Sequence, residues 1–297
     1  MSTRGRRWHQ RIHDRLWVEI TRRLAVDSTD EGASLPFAEP GSVSESMQWP
    51  RICRAFAHER IASQGFRKLR GVRDVVETVG PVDGRHYAKL IGRWEPHWFQ
   101  SPHVLSIDHW GDPLRWPGTL LGSPRCFSPT TLRYLATALW LKRQGLLADD
   151  PAIIEIGVGF GGLIAMNHVV GGHRSCMVDL PDVMHCASRF LETMGLVASL
   201  IPIEEIKSFP NRLIVSNYAF SELDSKVQDR YLAEYLVGSN HGVIVSNAAV
   251  FSGSIGGRDD GQIVGWLRDA GIPAYVDEAS ELLTPGDSLC GVRMIRW

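Results

Sequence analysis

The sequence predicts an α/β fold in which a mostly parallel sheet is covered by helices on both faces, preceded by a mainly helical N-terminal region. Three observations predict it. From about residue 150 onward, short apolar runs alternate with helical segments. The first of these runs, IIEI at 153–156, passes directly into a glycine-rich turn, GVGFGG at 157–162. Before residue 150 the alternation is missing, and helical patterns are separated by irregular stretches rich in Pro, Gly, Trp and His. The chain therefore divides into a helical cap at 1–127 and an α/β domain at 128–297.

In the α/β domain the apolar runs predict strands at Ala152–Ile156, Ser175–Val178, Ser199–Ile203, Arg212–Ser216 and Val243–Ser246. Two closing strands follow, at Ala274–Val276 and Leu289–Ile295. Helices are expected at about 161–170, from Pro181 to Gly195, at about 225–237 and at about 260–270. Proline in the first turn and glycine past the end fit the usual helix asymmetry. Residues 247–257 are expected as a glycine-rich loop. Upstream, SPTTLRYLATALWLKRQG at 128–145 reads as a helix with a Ser or Thr N-cap and Gly145 as its stop. Arg4–Leu24 is amphipathic, with Trp8, Ile12, Leu16, Ile20 and Leu24 at steps of four. The polar stretch Asp27–Gln48 shows no pattern. Arg93–Cys126, which holds Trp94, Trp98, Trp110, Trp116, His97, His103 and His109, reads as a lid or substrate wall.

Composition narrows the class. The 297 residues are 44% apolar and 22% charged with a formal net charge of -1, an ordinary soluble balance. It gives no global attraction to nucleic acid or acidic membranes. The arginines near the start are followed by no apolar core of a secretory signal, and no apolar run is long enough to span a bilayer. Cys53, Cys126, Cys176, Cys186 and Cys290 are scattered without a C-x-x-C pair, which points to small buried hydrophobes in a reducing, cytoplasmic setting. The tryptophans of the first half point weakly to a homodimer.

The turn at 157–162 satisfies two patterns. Gly157, Gly159 and Gly162 form G-x-G-x-x-G, which serves a dinucleotide pyrophosphate; Glu155, Gly157, Gly159 and Gly161 form acidic-x-G-x-G-x-G. The second pattern suits S-adenosylmethionine, which carries no phosphate. Ligands of open parallel sheets bind beyond the carboxyl ends of the strands. That rule gathers the glycine turn, Asp179, Ser216–Glu222 and Asn247–Gly257 around one crevice. Asp179 is placed to accept hydrogen bonds from a ribose diol, which both ligands contain, or to cap the helix at Pro181. Glu155 discriminates. A carboxylate in an apolar strand is costly without a partner. It would repel a pyrophosphate and attract the ammonium and sulfonium of S-adenosylmethionine. A structural pairing of Glu155 with a Lys or Arg is the alternative.

These residues make the chain resemble the class I S-adenosylmethionine-dependent methyltransferases over roughly 130–297. Three stretches are similar more narrowly to a family of sugar O-methyltransferases: EIGVGFGGL at 155–163, VDLPDV at 178–183 and SNYAFSELD at 216–224. The resemblance implies a Rossmann-like sheet of seven strands, mostly parallel with the last antiparallel. It implies Glu155, Gly157, Gly159, Gly161, Asp179, Leu180, Ser216 and Asn217 as cofactor contacts, with Ser216–Glu222 as the floor of the reaction site. A saccharide is the implied acceptor.

A sugar hydroxyl needs help to lose its proton. Glu222 is the carboxylate best placed as general base, unless it caps the helix starting near Asp224. Tyr218 and Asn217 are candidates to orient the acceptor or to cap the methionine end. His97, His103 and His109 are the histidine candidates, His109 being flanked by Asp108 and Asp112; His241, His168 and His173 fall away from the crevice. Trp110 and Trp116 are candidates to stack on a sugar face. A Mg²⁺ ion is conceivable, but no D-x-D or H-E-x-x-H pattern supports it. An NAD(P)-dependent oxidoreductase using the same loop is the rival reading; no Tyr-x-x-x-Lys pair follows the fourth predicted strand.

Overall fold

The computed structural model describes residues 41–43, 48–116 and 126–297. The predicted Arg4–Leu24 helix lies outside them, as do most of Asp27–Gln48 and residues 117–125 of the Trp- and His-rich segment. Among the described residues six strands form one sheet: β1 (Ala152–Ile156), β2 (Ser175–Val178), β3 (Arg212–Asn217), β4 (His241–Ser246), β5 (Tyr275–Val276) and β6 (Arg293–Arg296), in the order β2-β1-β3-β4-β6-β5. β1, β2, β3 and β4 pair in parallel, and β6 runs antiparallel to both β4 and β5. The strand order reverses beside β1, which opens a switch-point crevice at the carboxyl ends of β1 and β3.

The expected α/β class with an antiparallel last strand is therefore present, with six strands in place of seven. The predicted strand at Ser199–Ile203 is reduced to a single parallel bridge between Leu200 and Ser175. Pro202 has no N–H to continue a ladder, and the chain turns there into a 3₁₀ helix at Ile203–Ser208. Two other elements differ from expectation. Residues 248–255 (AAVFSGSI) form a helix where a loop was expected, stopped by Gly256 in a left-handed conformation at φ +67°. The predicted strand start at Leu289 is instead helical, because Thr284 and Asp287 make a reciprocal capping box that launches a helix at Pro285–Cys290.

The helices, in chain order, are α1 (Trp49–Ala57), α2 (Arg70–Arg73), α3 (Pro81–Trp94), α4 (Pro102–His109), α5 (Pro129–Arg143), α6 (Gly162–Gly171), α7 (Pro181–Thr193), α8 (Ser225–Tyr231), α9 (Ala248–Ile255), α10 (Asp260–Asp269) and α11 (Pro285–Cys290). Strand period two splits the core between the two faces of the sheet. Ile154, Ile214, Ile244 and Ile295 pack with Ile263 and Leu267 of α10. Ile153, Leu213, Val243 and Met294 face the other way, into a core that also takes in Phe56 of α1, Leu90 and Ile91 of α3, and Val104 of α4. One apolar core thus joins the first half of the chain to the sheet. α5 is its centre. Ser128 caps it by accepting the Thr131 N–H at 3.3 Å, and every residue from Pro129 to Leu141 is buried, so this helix is surrounded on all sides.

A buried arginine ties the cap to α5. Arg67 donates through Nε to Glu77 at 2.5 Å, through Nη1 to the Ile107 carbonyl at 3.2 Å, and through Nη2 to Ser128 and Thr131. Its side chain is fully buried. Removing one partner of a buried pair leaves the other charge uncompensated. Arg67→Met is therefore expected to lower the unfolding free energy by about 3–5 kcal/mol, measured from urea denaturation curves. An unchanged midpoint would show that Glu77 finds another partner.

Among the described residues no helix is long and apolar enough to cross a membrane. Cys53, Cys176 and Cys186 are buried free thiols, as expected of small hydrophobes; Cys290 is exposed at the end of α11.

Candidate functional site

A cavity of about 810 Å³ opens at the carboxyl ends of β1 and β3. Its inner wall is the glycine turn after β1. Gly157 has φ +82°, Gly159 φ +55° and Gly161 φ +90°, left-handed conformations that favour glycine. At Gly157 there is no space either, since a Cβ there would sit 2.0 Å from the Cβ of Ala219. Glu155 comes two residues earlier. Because it shares a face of β1 with Ile153, it points toward the cap, at the register of Met177 on β2 and Val215 on β3. It is only 4% exposed, and its Oε2 has no hydrogen-bond partner among the described residues. The alternative of a structural Lys or Arg partner for that oxygen is not met there. Burial, then the nearby Asp179 carboxylate, hold Glu155 well above the ordinary carboxylate range.

Asp179 ends β2 and braces the turn. Its Oδ2 accepts the Val158 N–H at 2.8 Å and its Oδ1 accepts the Leu180 N–H at 2.7 Å. Burial pushes its carboxyl up to about 6, while the backbone N–H groups of Leu180, Val158 and Gly159 pull it down. A carboxyl raised in the folded state binds more protons than in the unfolded chain, so its contribution is full below the unfolded value and lost as pH rises through the folded one. The stability advantage of wild type over Asp179→Asn is therefore expected to be greatest below about pH 4 and to shrink as pH passes about 6. Urea unfolding of both proteins across that range checks it; a difference that grows with pH would contradict it.

The floor follows β3. Tyr218 donates its N–H to the Val245 carbonyl at 2.8 Å, yet its φ is +72°, an uncommon conformation for a non-glycine residue. Its phenol donates to Asp287 Oδ1 at 2.9 Å. Burial and the Asp287 charge push that phenol up, so it stays protonated and serves as an orienting group. Glu222 also lines the cavity. The Asn247 amide donates to its Oε1 at 2.5 Å, and Asn247 is held in turn by Ser221, whose Oγ donates to Asn247 Oδ1 at 2.7 Å. Burial raises the Glu222 carboxyl, and the Asn247 hydrogen bond pulls it back. The helix at Ser225 is capped by Asp224, which accepts the Val227 N–H at 2.8 Å. Glu222 is therefore free of the capping role.

The structure brings Glu155, Gly157, Gly159, Asp179, Leu180, Asn217, Tyr218 and Glu222 together on one cavity. Three expected site residues lie apart from it. Gly161 is the N-cap of α6, packed against Ala187 and Phe190. Ser216 is fully buried, donating to the Ile156 carbonyl at 2.9 Å and accepting the Phe220 N–H at 3.0 Å, so it pins the turn after β3. His109 is exposed at the end of α4, because its neighbour Asp108 takes the inward position and accepts the Ser128 N–H at 2.9 Å. Trp110 is partly buried against the core and stacked on Phe160 at 5.5 Å. Neither it nor Trp116 lines the cavity. Among the described residues no group of three His, Cys, Asp or Glu side chains is placed to hold a metal ion.

Other wall residues are visible only in three dimensions. Asp83 and Tyr87 come from α3, Arg133 and Tyr134 from α5, and Asp287 from α11. One sequence signal marked Arg133: it is the only charge between Pro129 and Leu141 in a helix that is buried all round.

No model of a known protein family and no curated protein matches the chain. Solved structures resemble it loosely. An O-methyltransferase family protein from Burkholderia thailandensis shares 13% identity over 56% of this chain and 59% of its own, with a TM-score of 0.39. The plantazolicin methyltransferase BpumL, solved in complex with SAH, shares 14% identity over 75% of this chain and 98% of its own, at 0.36. The mitomycin 7-O-methyltransferase MmcR shares 14% over 84% and 94%, also at 0.36. The chain thus spans less than two thirds of the Burkholderia protein. Likenesses of this size carry no argument about ligand or reaction. What the fold and the cavity define is a Rossmann-like α/β protein with a cavity at the switch point of the sheet.

Proposed function

We propose that the protein transfers a methyl group from S-adenosylmethionine to a hydroxyl of a saccharide. The observation that carries the cofactor assignment is Glu155: a buried carboxylate with an unpartnered oxygen, set beside a turn of left-handed glycines. Burial favours its neutral form, and the cationic methionine end of S-adenosylmethionine, unlike a dinucleotide pyrophosphate, would draw it into the ionised form that attracts that cation. The glycines then serve close backbone approach, and Asp179, which braces the turn, and Leu180 lie where the adenosyl ribose would rest.

The acceptor oxygen attacks the sulfonium methyl in line; the new O–C bond forms as the C–S bond breaks, and the sulfur leaves as a neutral thioether. Glu222 takes the hydroxyl proton. A raised carboxyl is a better base near neutral pH than an ordinary one, and the Asn247 amide fixes its orientation. The saccharide assignment is supported by the motif at 216–224 and by the polar wall of Asp83, Asn217, Tyr218, Glu222, Asn247 and Asp287. Groups that both donate and accept suit a ring of hydroxyls.

Thermal-shift titration with S-adenosylhomocysteine and with NADH tests the cofactor. Stabilisation by the former is expected; stabilisation by NADH alone would replace the proposal with an oxidoreductase. A panel of saccharides incubated with methyl-labelled S-adenosylmethionine, with and without chelator, tests the acceptor. Transfer to non-sugar hydroxyls only would overturn the saccharide assignment.

A further inference from the structure

The cavity holds a buried cation for which the fold supplies no anion. Arg133 is 7% exposed. Its guanidinium lies over the rings of Tyr134 and Tyr218, at 5.5 Å and 5.4 Å. Nη2 reaches the Val76 carbonyl at 3.5 Å, and Nε is buried without a hydrogen-bond partner. None of the ion pairs among the described residues includes it. Arg67 is the contrast: fully buried, it is met by a carboxylate, two hydroxyls and two carbonyls. The phenols of Tyr134 and Tyr218 give it hydrogen bonds, but a buried guanidinium with no carboxylate beside it is costly unless a ligand completes it.

Its position says which ligand group. Tyr134, the next residue, packs on the glycine turn, where a Cβ at Gly162 would fall 2.3 Å from its ring. Val76, whose carbonyl Arg133 touches, lies 3.5 Å from the corresponding position at Gly159. Arg133 is therefore anchored through its neighbours to the same turn that follows Glu155. One cavity then presents a cation with no carboxylate partner and a carboxyl group with an unpartnered oxygen near a single loop, and a ligand ammonium beside that carboxyl would favour its ionised form. That pair is complementary to a zwitterionic α-amino acid. We infer that Arg133 binds the α-carboxylate of the methionine moiety while Glu155 faces its ammonium. The inference rests on the cavity being an S-adenosylmethionine site.

Calorimetric titrations with three probes test it: S-adenosylhomocysteine, its decarboxylated analogue (which keeps the ammonium), and 5′-methylthioadenosine, which lacks the amino acid. Wild type is expected to prefer S-adenosylhomocysteine to the decarboxylated analogue by roughly 10- to 100-fold, the range of a charge-assisted contact. In Arg133→Met that preference is expected to fall to about threefold or less, with 5′-methylthioadenosine binding retained as evidence of an intact fold. Arg133→Lys restores part of it. Equal wild-type affinities for the two amino-bearing probes, or an undiminished preference in Arg133→Met, would overturn the inference and leave Arg133 to an acidic group on the acceptor. If Arg133→Met does not fold, the wild-type preference and Arg133→Lys decide. Wild type binding none of the three probes would sink the cofactor proposal itself, whereas binding all three without discrimination sinks only the role of Arg133.

Discussion

Glu222→Gln is expected to slow methyl transfer by about 10²- to 10⁴-fold, the usual contribution of a positioned general base, while leaving affinity for S-adenosylhomocysteine nearly unchanged. Glutamine keeps the shape of the side chain but removes its capacity to take a proton. The wild-type kcat/KM is expected to rise with pH through a value above the ordinary glutamate range, since burial raises the Glu222 carboxyl and only the ionised form is a base. That limb is expected to vanish in Glu222→Gln. A variant within threefold of the wild-type rate, or one that keeps the limb, would move the role of base to another group. Tyr218→Phe is the useful companion: its phenol donates to Asp287, so its loss disturbs orientation without removing the pH limb.

Gly157→Ala has the second large expected effect. The position has φ +82°, where an L side chain is strained by about 1–2 kcal/mol, and the added Cβ would meet the Ala219 Cβ at 2.0 Å. Overpacking of this kind costs a further 1–3 kcal/mol, roughly. Together they predict a melting temperature lower by about 5–15 °C for a domain of this size, with cofactor binding lost as the turn moves into the cavity. Adding Ala219→Gly opens the space and is expected to return the packing part alone. A Gly157→Ala protein that melts like wild type and still binds S-adenosylhomocysteine would show that the turn is not held between β1 and Ala219.

Much of the α/β half is legible in the chain because its strands are short apolar runs with few competing uses. β1 and β2 have the predicted limits, Ala152–Ile156 and Ser175–Val178. Where a run was misread, a local cap or a proline explains it. Pro202 ends a ladder after one bridge, and the T-x-x-D of Thr284 and Asp287 starts a helix inside an apparent strand. The cavity wall after β1 is legible because the turn needs glycines, and an acid precedes them, at fixed spacing. His109 lies outside the cavity lining for a reason the sequence cannot display, since α4 gives Asp108 the inward face and His109 the outward one.

The sequence by itself determined the order of β-α steps, the left-handed glycine turn and the carboxylate in front of it, because those depend on neighbours within a few residues. Only the tertiary structure decided what faces that turn. It left the Glu155 oxygen without a partner, tied Ser216 into the backbone, seated Glu222 against Asn247, and brought Arg133 from a buried helix to the cavity wall. Each of those outcomes depends on contacts between distant segments. Burial is a property of the packed whole, and it is burial that turns an ordinary carboxylate or guanidinium into one that needs a ligand.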